Sequence, residues 1–560
     1  MKHLLLLTAA VLLLSGCSDS STPESVIVET SREQPMADDS VAADSRPNFL
    51  VILTDDMGYT DLGAFGGDDI KTPNLDALAL EGVRFTNFHA APSCKPSRAM
   101  LMSGNRNHEG GVGSQTARPE FAGQWGYEYQ LPDRVAALPE ALQEAGYDTF
   151  MAGKWHLNDG DASLPAARGF DRAFTLLEGA DSHFDSAFVT EPAWSLDGAR
   201  IHKPEGHSSD LFVDHMIQFM EESHTEGNPF FAYLAPTAPH WPIQVHPDWI
   251  DAYAGAYDDG YDQLCLRRMQ RASELGAIPT NANIESCAMR DTPWEDMDED
   301  SRLASSRRME TYAAMVEHMD MRIGDLLDYM DSRGLLENTW VIYMNDNGPQ
   351  GTSWARTVGD LLDTNVDNSY AAIGTAASWV NHGLGWADAT SSPFRGGKSR
   401  QHEGGIRVPA YAWRADLPTA GALDDDRLFI MDVMPTLLHL SGTAAPGGEF
   451  RGREVIPMRG KSFANRLMGS EESVHGDNVV AFDSADKRVV FIGEFKAVKE
   501  PGTEWELFNV LEDPGELTDL SATMPEKLAQ LQAAYFAQGD LSNYIPLQPV
   551  APSGGGLGSN

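Results

Sequence analysis

The stretch "NFLVILTDD", Asn48 to Asp56, decides the fold class. Asn48 to Leu53 form an apolar run of strand length, and the run ends abruptly at Thr54-Asp55-Asp56. A strand without polar alternation is typical of a parallel sheet, because helices cover both faces of such a sheet. We therefore predict a buried parallel strand that ends in two carboxylates.

The same design occurs twice more along the chain. "TWVIYMNDNG" places the apolar strand Trp340 to Met344 directly before Asn345-Asp346-Asn347-Gly348. "PFFAYLAPTAPH" places the apolar strand Phe230 to Leu234 shortly before His240. In open α/β sheets ligands bind beyond the carboxyl ends of the strands. We therefore expect the polar groups at these three strand ends to converge on one site.

Helical patterns alternate with these strands. Pro139 and Gly146 bracket the segment "LPEALQEAGY" with the residues that favour a helix start and a helix end. Between Arg302 and Gly334, apolar side chains recur at helical spacing, which predicts a helix that packs on the core. Alternating helices and strands predict an α/β domain, with a central and mostly parallel sheet between layers of helices.

The C-terminal part has a different pattern. From about residue 460, strand-like runs such as "VVAFDS" and "RVVFIGEF" precede a helical run from Pro525 to Phe536. This pattern predicts a small α+β subdomain with an antiparallel sheet. We expect a large catalytic domain over residues 46–455, the subdomain over 456–545 and a disordered tail over 546–560. Residues 349–393 are long for a loop and are interpreted as an active-site cover or an insertion.

The N-terminus has the features of an export signal. Lys2-His3 precedes an apolar run from Leu4 to Leu14, which is too short to span a bilayer. The run closes on Leu14-Ser15-Gly16-Cys17, which resembles the lipobox of bacterial lipoproteins. We predict a lipoprotein signal peptide over residues 1–17; an ordinary signal peptide with an incidental cysteine is the alternative. Residues 18–45 then form a disordered tether, and Ser18 favours the outer membrane of the bacterial cell envelope.

Charge and cysteine content narrow the partners. The chain has 83 Asp and Glu against 41 Lys and Arg, a formal net charge of −42. This excess argues against nucleic acid, and it leaves a lipid anchor as the means of membrane contact. It is typical of adaptation to high salt or of a solvated acidic surface. Cys265 and Cys287 either form a disulfide or stay separate, and Cys94 is left over.

The strand ends offer a set of hard oxygen ligands. Asp55, Asp56, Asp346 and Asn347 suit Ca²⁺ and, less well, Mg²⁺, and the lack of imidazole among them argues against Zn²⁺. Taken alone, the Asp-Asp pair is equally compatible with a helix cap or a turn.

A second cluster of motifs resembles type I sulfatases. "CKPSR", Cys94 to Arg98, followed by "LMSG", resembles their first signature, in which a dedicated maturation enzyme oxidises the cysteine to Cα-formylglycine. "GYDTFMAGKWH", Gly146 to His156, resembles their second signature, and the likeness continues at "APTAPHWP", "NDNG" and "RGGKSRQHEGGIRVP". It extends over about residues 46–545, and bacterial arylsulfatases look most similar. Lys95, where a small residue is usual, and Asn345, where Ser or Thr is common, depart from the pattern.

The resemblance implies an alkaline-phosphatase-like fold and a role for each matching residue. The hydrated aldehyde at position 94 would join the metal ligands, and one of its two hydroxyls would attack sulfur while the other later expels sulfate. Asp346 would bind the metal and could also accept the proton of the attacking hydroxyl. The implied catalytic set is Cys94 as nucleophile, Arg98 to hold and help activate the diol, Lys154 and Lys398 to neutralise sulfate oxygens, with Lys398 also near the leaving oxygen, His156 to hydrogen-bond the diol and assist collapse of the sulfated intermediate, and His240 to protonate or stabilise the departing alkoxide.

Three functions therefore compete. The first is hydrolysis of a small aryl, alkyl or carbohydrate sulfate ester with formylglycine and Ca²⁺. The second uses the same site on a phosphonate monoester or phosphodiester, and the third is a catalytically silent lipoprotein that binds sulfated ligands. Substrate choice in such folds lies in loops, here predicted at residues 105–130, 160–210 and 349–393.

Overall fold

The central feature of the fold is a mixed ten-stranded sheet. The computed structural model describes residues 46–540 except 159, 185–191, 226, 284–286, 288–290 and 352–365. The predicted signal peptide (1–17), the tether (18–45), the tail (546–560) and residues 352–365 of the 349–393 segment lie outside the described residues. Within them, no helix is both long and apolar enough to cross a membrane.

The sheet is parallel at its centre, has antiparallel pairs on both sides of that centre, and ends in a parallel pair at one edge. Its order is β11-β2-β10-β9-β1-β8-β4-β5-β6-β7, where β9, β1, β8, β4 and β5 run parallel to one another. The strands, in chain order, are β1 (Asn48–Thr54), β2 (Val83–Phe85), β3 (Phe88–His89), β4 (Asp148–Lys154), β5 (Arg172–Leu176), β6 (Trp194–Leu196), β7 (Ala199–Ile201), β8 (Phe230–Ala235), β9 (Thr339–Asn345), β10 (Ala410–Trp413), β11 (Leu423–Asp424), β12 (Leu428–Phe429), β13 (Gly448–Phe450), β14 (Arg453–Val455), β15 (Val480–Ser484), β16 (Lys487–Ile492), β17 (Phe495–Lys499) and β18 (Glu506–Asn509).

The three strands predicted from apolar runs are confirmed as β1, β8 and β9, and every residue in them is buried. Their burial follows from the two cores that the sheet separates. Leu50 and Ile52 of β1 pack into one hydrophobic cluster, whereas Phe49, Val51 and Leu53 pack into the other. A strand that serves two cores needs apolar side chains on both faces, which explains the lack of alternation.

Helices cover both faces of the sheet. Helices α1, α4, α5 and α6 contribute to the first cluster, and α2, α3 and α9 contribute to the second. The predicted helices after Leu138 and around residues 302–334 are confirmed as α3 and α6. The helices are α1 (Pro73–Glu81), α2 (Cys94–Ser103), α3 (Leu138–Glu144), α4 (Ser208–Ser223), α5 (Tyr261–Glu274), α6 (Glu299–Ser332), α7 (Leu384–Ser391), α8 (Glu403–Ile406), α9 (Val433–Leu440), α10 (Ala464–Leu467) and α11 (Pro525–Asp540).

The C-terminal residues form the predicted antiparallel sheet, in the order β15-β16-β17-β18. The run "RVVFIGEF" is divided between β16 and β17, because the chain turns at residues 493–494. One face of this sheet packs on α11 through Leu531 and Tyr535. The other face contributes Phe482 and Phe491 to the second core cluster of the large domain. The small sheet and the large domain therefore share a core.

The cysteines are also assigned. Cys265 in α5 is bonded to Cys287, with an S–S distance of 2.01 Å. This answers a question that the sequence leaves open. Cys94 is free and buried.

Candidate active site

Four neighbouring parallel strands, β9, β1, β8 and β4, deliver polar side chains to one edge of the sheet. Asp346 follows β9, Asp55 follows β1, His240 follows β8 by a short loop, and Lys154 is the last residue of β4. The pairing of Thr54 with Asn345 places the two acidic strand ends side by side. The expected convergence of three strand ends is therefore found, and β4 adds a fourth.

Two residues at these strand ends have geometry that suits an ion. Asp56 adopts a left-handed backbone conformation with φ 66°, and it accepts a 2.7 Å hydrogen bond from Asn347 Nδ2. The other amide atom, Asn347 Oδ1, is buried with no hydrogen-bond partner among the described residues. A buried carbonyl oxygen normally has a donor or a cation beside it, since leaving it unsatisfied costs free energy.

Cys94 is the first residue of α2 and is fully buried. Its Sγ lies 3.3 Å from Asp55 Oδ1 and 4.0 Å from Asp56 Oδ1. Burial, followed by the charges of Asp346 and Asp55, raises the pKa of the Cys94 thiol well above its usual value. The cysteine thus has polar neighbours and is closed off from solvent.

Buried cations balance the carboxylates. Lys154 Nζ lies 2.5 Å from Asp55, Arg98 Nη2 lies 2.8 Å from Asp346, and Lys398 Nζ lies 2.6 Å from Asp56. All six side chains are at most 7% exposed. Three cations around the strand-end carboxylates can bind an anionic ester as well as the carboxylates they now contact.

The buried cations affect the pKa values of Asp55 and Asp346 differently. Burial by itself raises the pKa of Asp55, but Lys154, His240, Arg98 and Lys398 hold that pKa well below its usual value. Burial and the neighbouring charge of Asp55 raise the pKa of Asp346 to about 7, despite Arg98. The pKa values of these two adjacent carboxyl groups are thus shifted in opposite directions. A further cation would stabilise the charged form of both groups.

The residues fit a hard divalent cation. One ligand atom from each of Asp55, Asp56, Cys94 and His240 lies within 4.8 Å of the other three. Asp346 and Asn347 border the same group, since Asp346 Oδ1 lies 3.4 Å from the Asp56 amide nitrogen. The predicted ligands are thus brought together. His240, predicted as a proton donor, is nearer to them than the sequence suggested.

His240 has a fixed orientation. Its Nδ1 donates a 2.7 Å hydrogen bond to the carbonyl of Trp241, which directs Nε2 towards Asp56 at 3.5 Å. Burial, and then Lys398, lowers the pKa of His240 to about 4. The His240 carbonyl in turn accepts a 3.0 Å hydrogen bond from His183 Nε2. The sequence analysis missed His183, because no motif surrounds it.

His156 occupies a confined position. It has a left-handed backbone with φ 58°, and its Nδ1 is buried without a hydrogen-bond partner in the described part of the chain. A Cβ atom on Gly179 would lie 2.7 Å from His156 Cε1, so the imidazole requires a glycine at that point. Burial, followed by the charges of Lys154 and Lys95, holds the pKa of His156 well below its usual value.

The two departures from the sulfatase pattern both have a place in the structure. Asn345 Nδ2 donates to the Met57 carbonyl at 2.8 Å, and Asn345 Oδ1 accepts from Thr54 Oγ1 at 3.1 Å. The amide therefore ties the segment after β1 to the end of β9, and a single hydroxyl would offer fewer hydrogen bonds for this purpose. Lys95 donates its backbone N–H to Gln115 Oε1 at 3.0 Å, and its ammonium lies over the Tyr129 ring.

Comparisons with known proteins agree with this architecture. The sulfatase family profile matches residues 47–443. An uncharacterized sulfatase of Schizosaccharomyces pombe is 38% identical over 89% of this chain and 94% of its own length. An arylsulfatase of Klebsiella aerogenes is 34% identical over 76% of this chain and 92% of its own length.

Solved structures agree in fold. Ps i-CgsB in complex with k-i-k-neocarrahexaose has a TM-score of 0.63 at 23% identity, and covers 89% of this chain and 93% of its own. BT4656, in complex with its substrate D-glucosamine-2-N,6-O-disulfate, has a TM-score of 0.60 at 20% identity, with 89% and 98% covered. The sheet and its charged edge define a hydrolase of the alkaline-phosphatase-like fold. The chain belongs to the sulfatase family, whose members hydrolyse sulfuric esters.

Proposed function

We propose that this sulfatase cleaves small aryl or alkyl sulfate monoesters with a formylglycine made from Cys94 and a bound Ca²⁺ ion. The observation that carries the proposal is the position of Cys94. It begins a ten-residue helix, lies 3.3 Å from a strand-end carboxylate, and faces three buried cations. A structural cysteine would instead be surrounded by apolar side chains.

Five positions would hold the ion: Asp55, Asp56, Asp346, Asn347 and the modified residue 94. Asn347 Oδ1 supports this set. It is buried without a hydrogen-bond partner among the described residues, and a bound ion would give this carbonyl oxygen a neighbour. All the donors would be oxygens, which favours Ca²⁺ and Mg²⁺ over Zn²⁺. Five protein donors suit Ca²⁺ better than Mg²⁺, because Mg²⁺ usually keeps several waters and binds only one or two carboxylates. When bound, the ion lowers the pKa of a nearby hydroxyl and polarises a sulfate oxygen.

The hydrated aldehyde at position 94 would supply two hydroxyls on one carbon. The oxygen of one attacks sulfur and displaces the alcohol; the other then loses its proton, re-forms the aldehyde C=O and expels sulfate. Helix α2 begins at this residue, and its N-terminal partial charge favours the anionic sulfate. Water therefore need not attack the enzyme's own sulfate ester.

The surrounding side chains would bind charge and move protons. Arg98 would hold the attacking hydroxyl while it stays paired with Asp346, which could accept the proton. Lys154 and Lys398 would bind sulfate oxygens in exchange for part of their contact with Asp55 and Asp56. His156 would hydrogen-bond the second hydroxyl. His240 would protonate or stabilise the departing alkoxide from Nε2, which faces Asp56. Protonation requires the imidazolium form, because the Nδ1–H is held by the Trp241 carbonyl.

The net charge of the chain and its similarity to an arylsulfatase support this substrate class. A net charge of −42 repels sulfated polymers at a distance, which favours small sulfate esters at moderate salt. The arylsulfatase of K. aerogenes is similar over most of its length, whereas two structural neighbours bind carbohydrates at less than 25% identity. The comparisons support neither a phosphonate or phosphodiester substrate nor a catalytically silent protein.

The export signal belongs to the same proposal. Lipidation at Cys17 would hold the enzyme at the bacterial cell envelope through a tether over residues 18–45. The maturation enzyme would read "CKPSR" before folding, because Cys94 is fully buried afterwards.

A turnover screen tests the proposed substrate class. The mature protein is assayed against aryl sulfates, alkyl sulfates, sulfated monosaccharides and phosphodiesters at matched concentrations. We expect the highest kcat/KM on an aryl or alkyl sulfate. A higher kcat/KM on a phosphodiester would contradict the proposal.

A further inference from the structure

The loop that carries Lys398 is held by the C-terminal sheet. The backbone N–H of Gln401 donates to Glu500 Oε1 at 2.8 Å, and that of Glu403 donates to Glu516 Oε2 at 2.7 Å. Further hydrogen bonds between residues 395–403 and residues 487–516 include those of Arg395 with Glu506, His402 with Glu506 and Lys487 with Ser399. A catalytic loop of the large domain thus depends on side chains of the small sheet.

Ser399, directly after Lys398, has an unusual backbone. Its φ is 71°, in the left-handed region that residues other than glycine enter at a cost in free energy. Its N–H donates to the Pro92 carbonyl at 2.6 Å, two residues before Cys94. Its carbonyl accepts a hydrogen bond from Lys487 Nζ. Ser399 therefore links the Cys94 turn to the small sheet.

Lys487 contacts the loop through both its side-chain ammonium and its backbone carbonyl. It is the first residue of β16 and is half-buried beside the loop. While its ammonium binds the Ser399 carbonyl, its own carbonyl accepts a 3.2 Å hydrogen bond from Gln401 Nε2. On the other side, the Lys398 N–H donates to the Pro349 carbonyl at 3.0 Å. The peptide on each side of Lys398 is thereby fixed.

We propose that Lys487 is a positioning residue, which holds Ser399 in its left-handed conformation and so directs Lys398 towards Asp56 and the sulfate. The inference rests on the proposed function, in which Lys398 binds a sulfate oxygen near the leaving group. Lys487 itself touches neither, and it acts through one carbonyl. Without that hydrogen bond the strained peptide can relax, and the Lys398 ammonium moves with it.

Replacing Lys487 by methionine tests the proposal. K487M keeps the length of the side chain and removes the donor, so we expect kcat to fall roughly ten- to hundredfold with KM nearly unchanged. The fall should be larger for sulfate esters of poorer leaving groups. K487R should restore most of kcat. The matched control is K499M, because Lys499 lies on the same sheet and donates to the Thr503 carbonyl instead.

A glycine at position 399 separates positioning from other effects of the lysine. S399G adopts the left-handed conformation without steric cost, so K487M should lose much less kcat in the S399G background than in the wild type. An equal loss in both backgrounds would overturn the proposal. A rise in KM that fades with added salt, at unchanged kcat, would also overturn it, because that result indicates long-range attraction of the anion.

Hydrogen exchange gives a readout that does not need turnover. Amides of residues 396–403 should exchange faster in K487M than in the wild type and in K499M, and S399G should reduce the difference. Unchanged protection in K487M would refute positioning by Lys487 whatever the substrate. Failure of the wild-type enzyme on every sulfate ester, with the exchange result intact, would instead refute the proposed function alone.

Discussion

At the scale of single residues, the site is a set of buried charges that balance one another. Asp55 and Asp346 end adjacent strands, and each is paired with a buried cation. Burying so many charges is expensive, and replacing such pairs by apolar residues is often neutral or stabilising. The cluster is therefore better explained by a ligand that it binds than by a contribution to folding.

Removing the metal should affect rate and stability together. Chelation should abolish turnover, and Ca²⁺ should restore it better than Zn²⁺, because the proposed ligands are oxygens. Because the proposed ion would bind the folded state and not the unfolded chain, chelation should also lower the melting temperature. Asp346→Asn keeps the shape of the side chain but loses a charge, so it should weaken both the metal affinity and kcat. Full activity in protein shown to be metal-free would refute the site.

Gly179→Ala should impair catalysis more than folding. The added methyl would lie 2.7 Å from His156 Cε1, so the ring must move away from its place. We expect a fall in kcat of roughly tenfold or more, with a melting temperature close to that of the wild type. Gly447→Ala is the matched control, because a Cβ at residue 447 meets no atom within 4 Å. Equal kcat in the two variants would contradict the role given to His156.

At the scale of elements, much of the fold and part of the site could be predicted. Continuous apolar runs revealed β1, β8 and β9, because buried parallel strands cannot alternate. Cys94 and Lys398 could be located from the sequence, because each lies within a continuous motif. His183 and Lys487 could not be found in this way. His183 acts on a residue 57 positions away and Lys487 on one 88 positions away, so only the folded chain brings them into place.

The contact between the Lys398 loop and β18 predicts a pH dependence. The hydrogen bond from His402, with the added charge of Arg395, lowers the pKa of Glu506 from its usual 4.5 to about 2, although burial by itself would raise it. A lowered carboxyl pKa gives stability that is present above about pH 4.5 and is lost as the pH falls towards 2. Glu506→Gln should therefore lower the free energy of unfolding at pH 6, and the difference from the wild type should shrink at pH 3.

Denaturant unfolding of both proteins at the two pH values measures this effect. Glu504→Gln is the control, since Glu504 is an exposed carboxylate two residues away. A difference between Glu506→Gln and the wild type that grows on acidification would show that the sign of the linkage is wrong.

At the scale of the whole molecule, the small sheet is joined to the large domain in two ways, through the core and through the loop that carries Lys398. The small sheet contributes Phe482 and Phe491 to the second hydrophobic cluster, and it also holds the Lys398 loop. Its removal should thus cost both stability and catalysis. The acidic surface acts differently, since a net charge of −42 affects solubility and long-range attraction rather than the fold.

The location of the molecule can be tested at Cys17. Wild-type protein expressed in a bacterial host should incorporate radioactive fatty acid and fractionate with membranes, and Cys17→Ala should lose the label. Cys94→Ala should keep it, which makes that variant the matched control. Equal labelling of Cys17→Ala and the wild type would end the lipoprotein hypothesis.

The chemical state of position 94 tests the central claim most directly. The peptide that contains residue 94 is isolated from active wild-type enzyme and from Cys94→Ala and Cys94→Ser, and is treated with a hydrazide probe. We expect the wild-type peptide to react and both variants to fail, with turnover of sulfate esters lower by orders of magnitude in the variants. Cys94→Ser could release one equivalent of alcohol without turning over, because serine cannot re-form an aldehyde. Wild-type enzyme that hydrolyses sulfate esters with an intact thiol and no aldehyde at residue 94 would contradict the account.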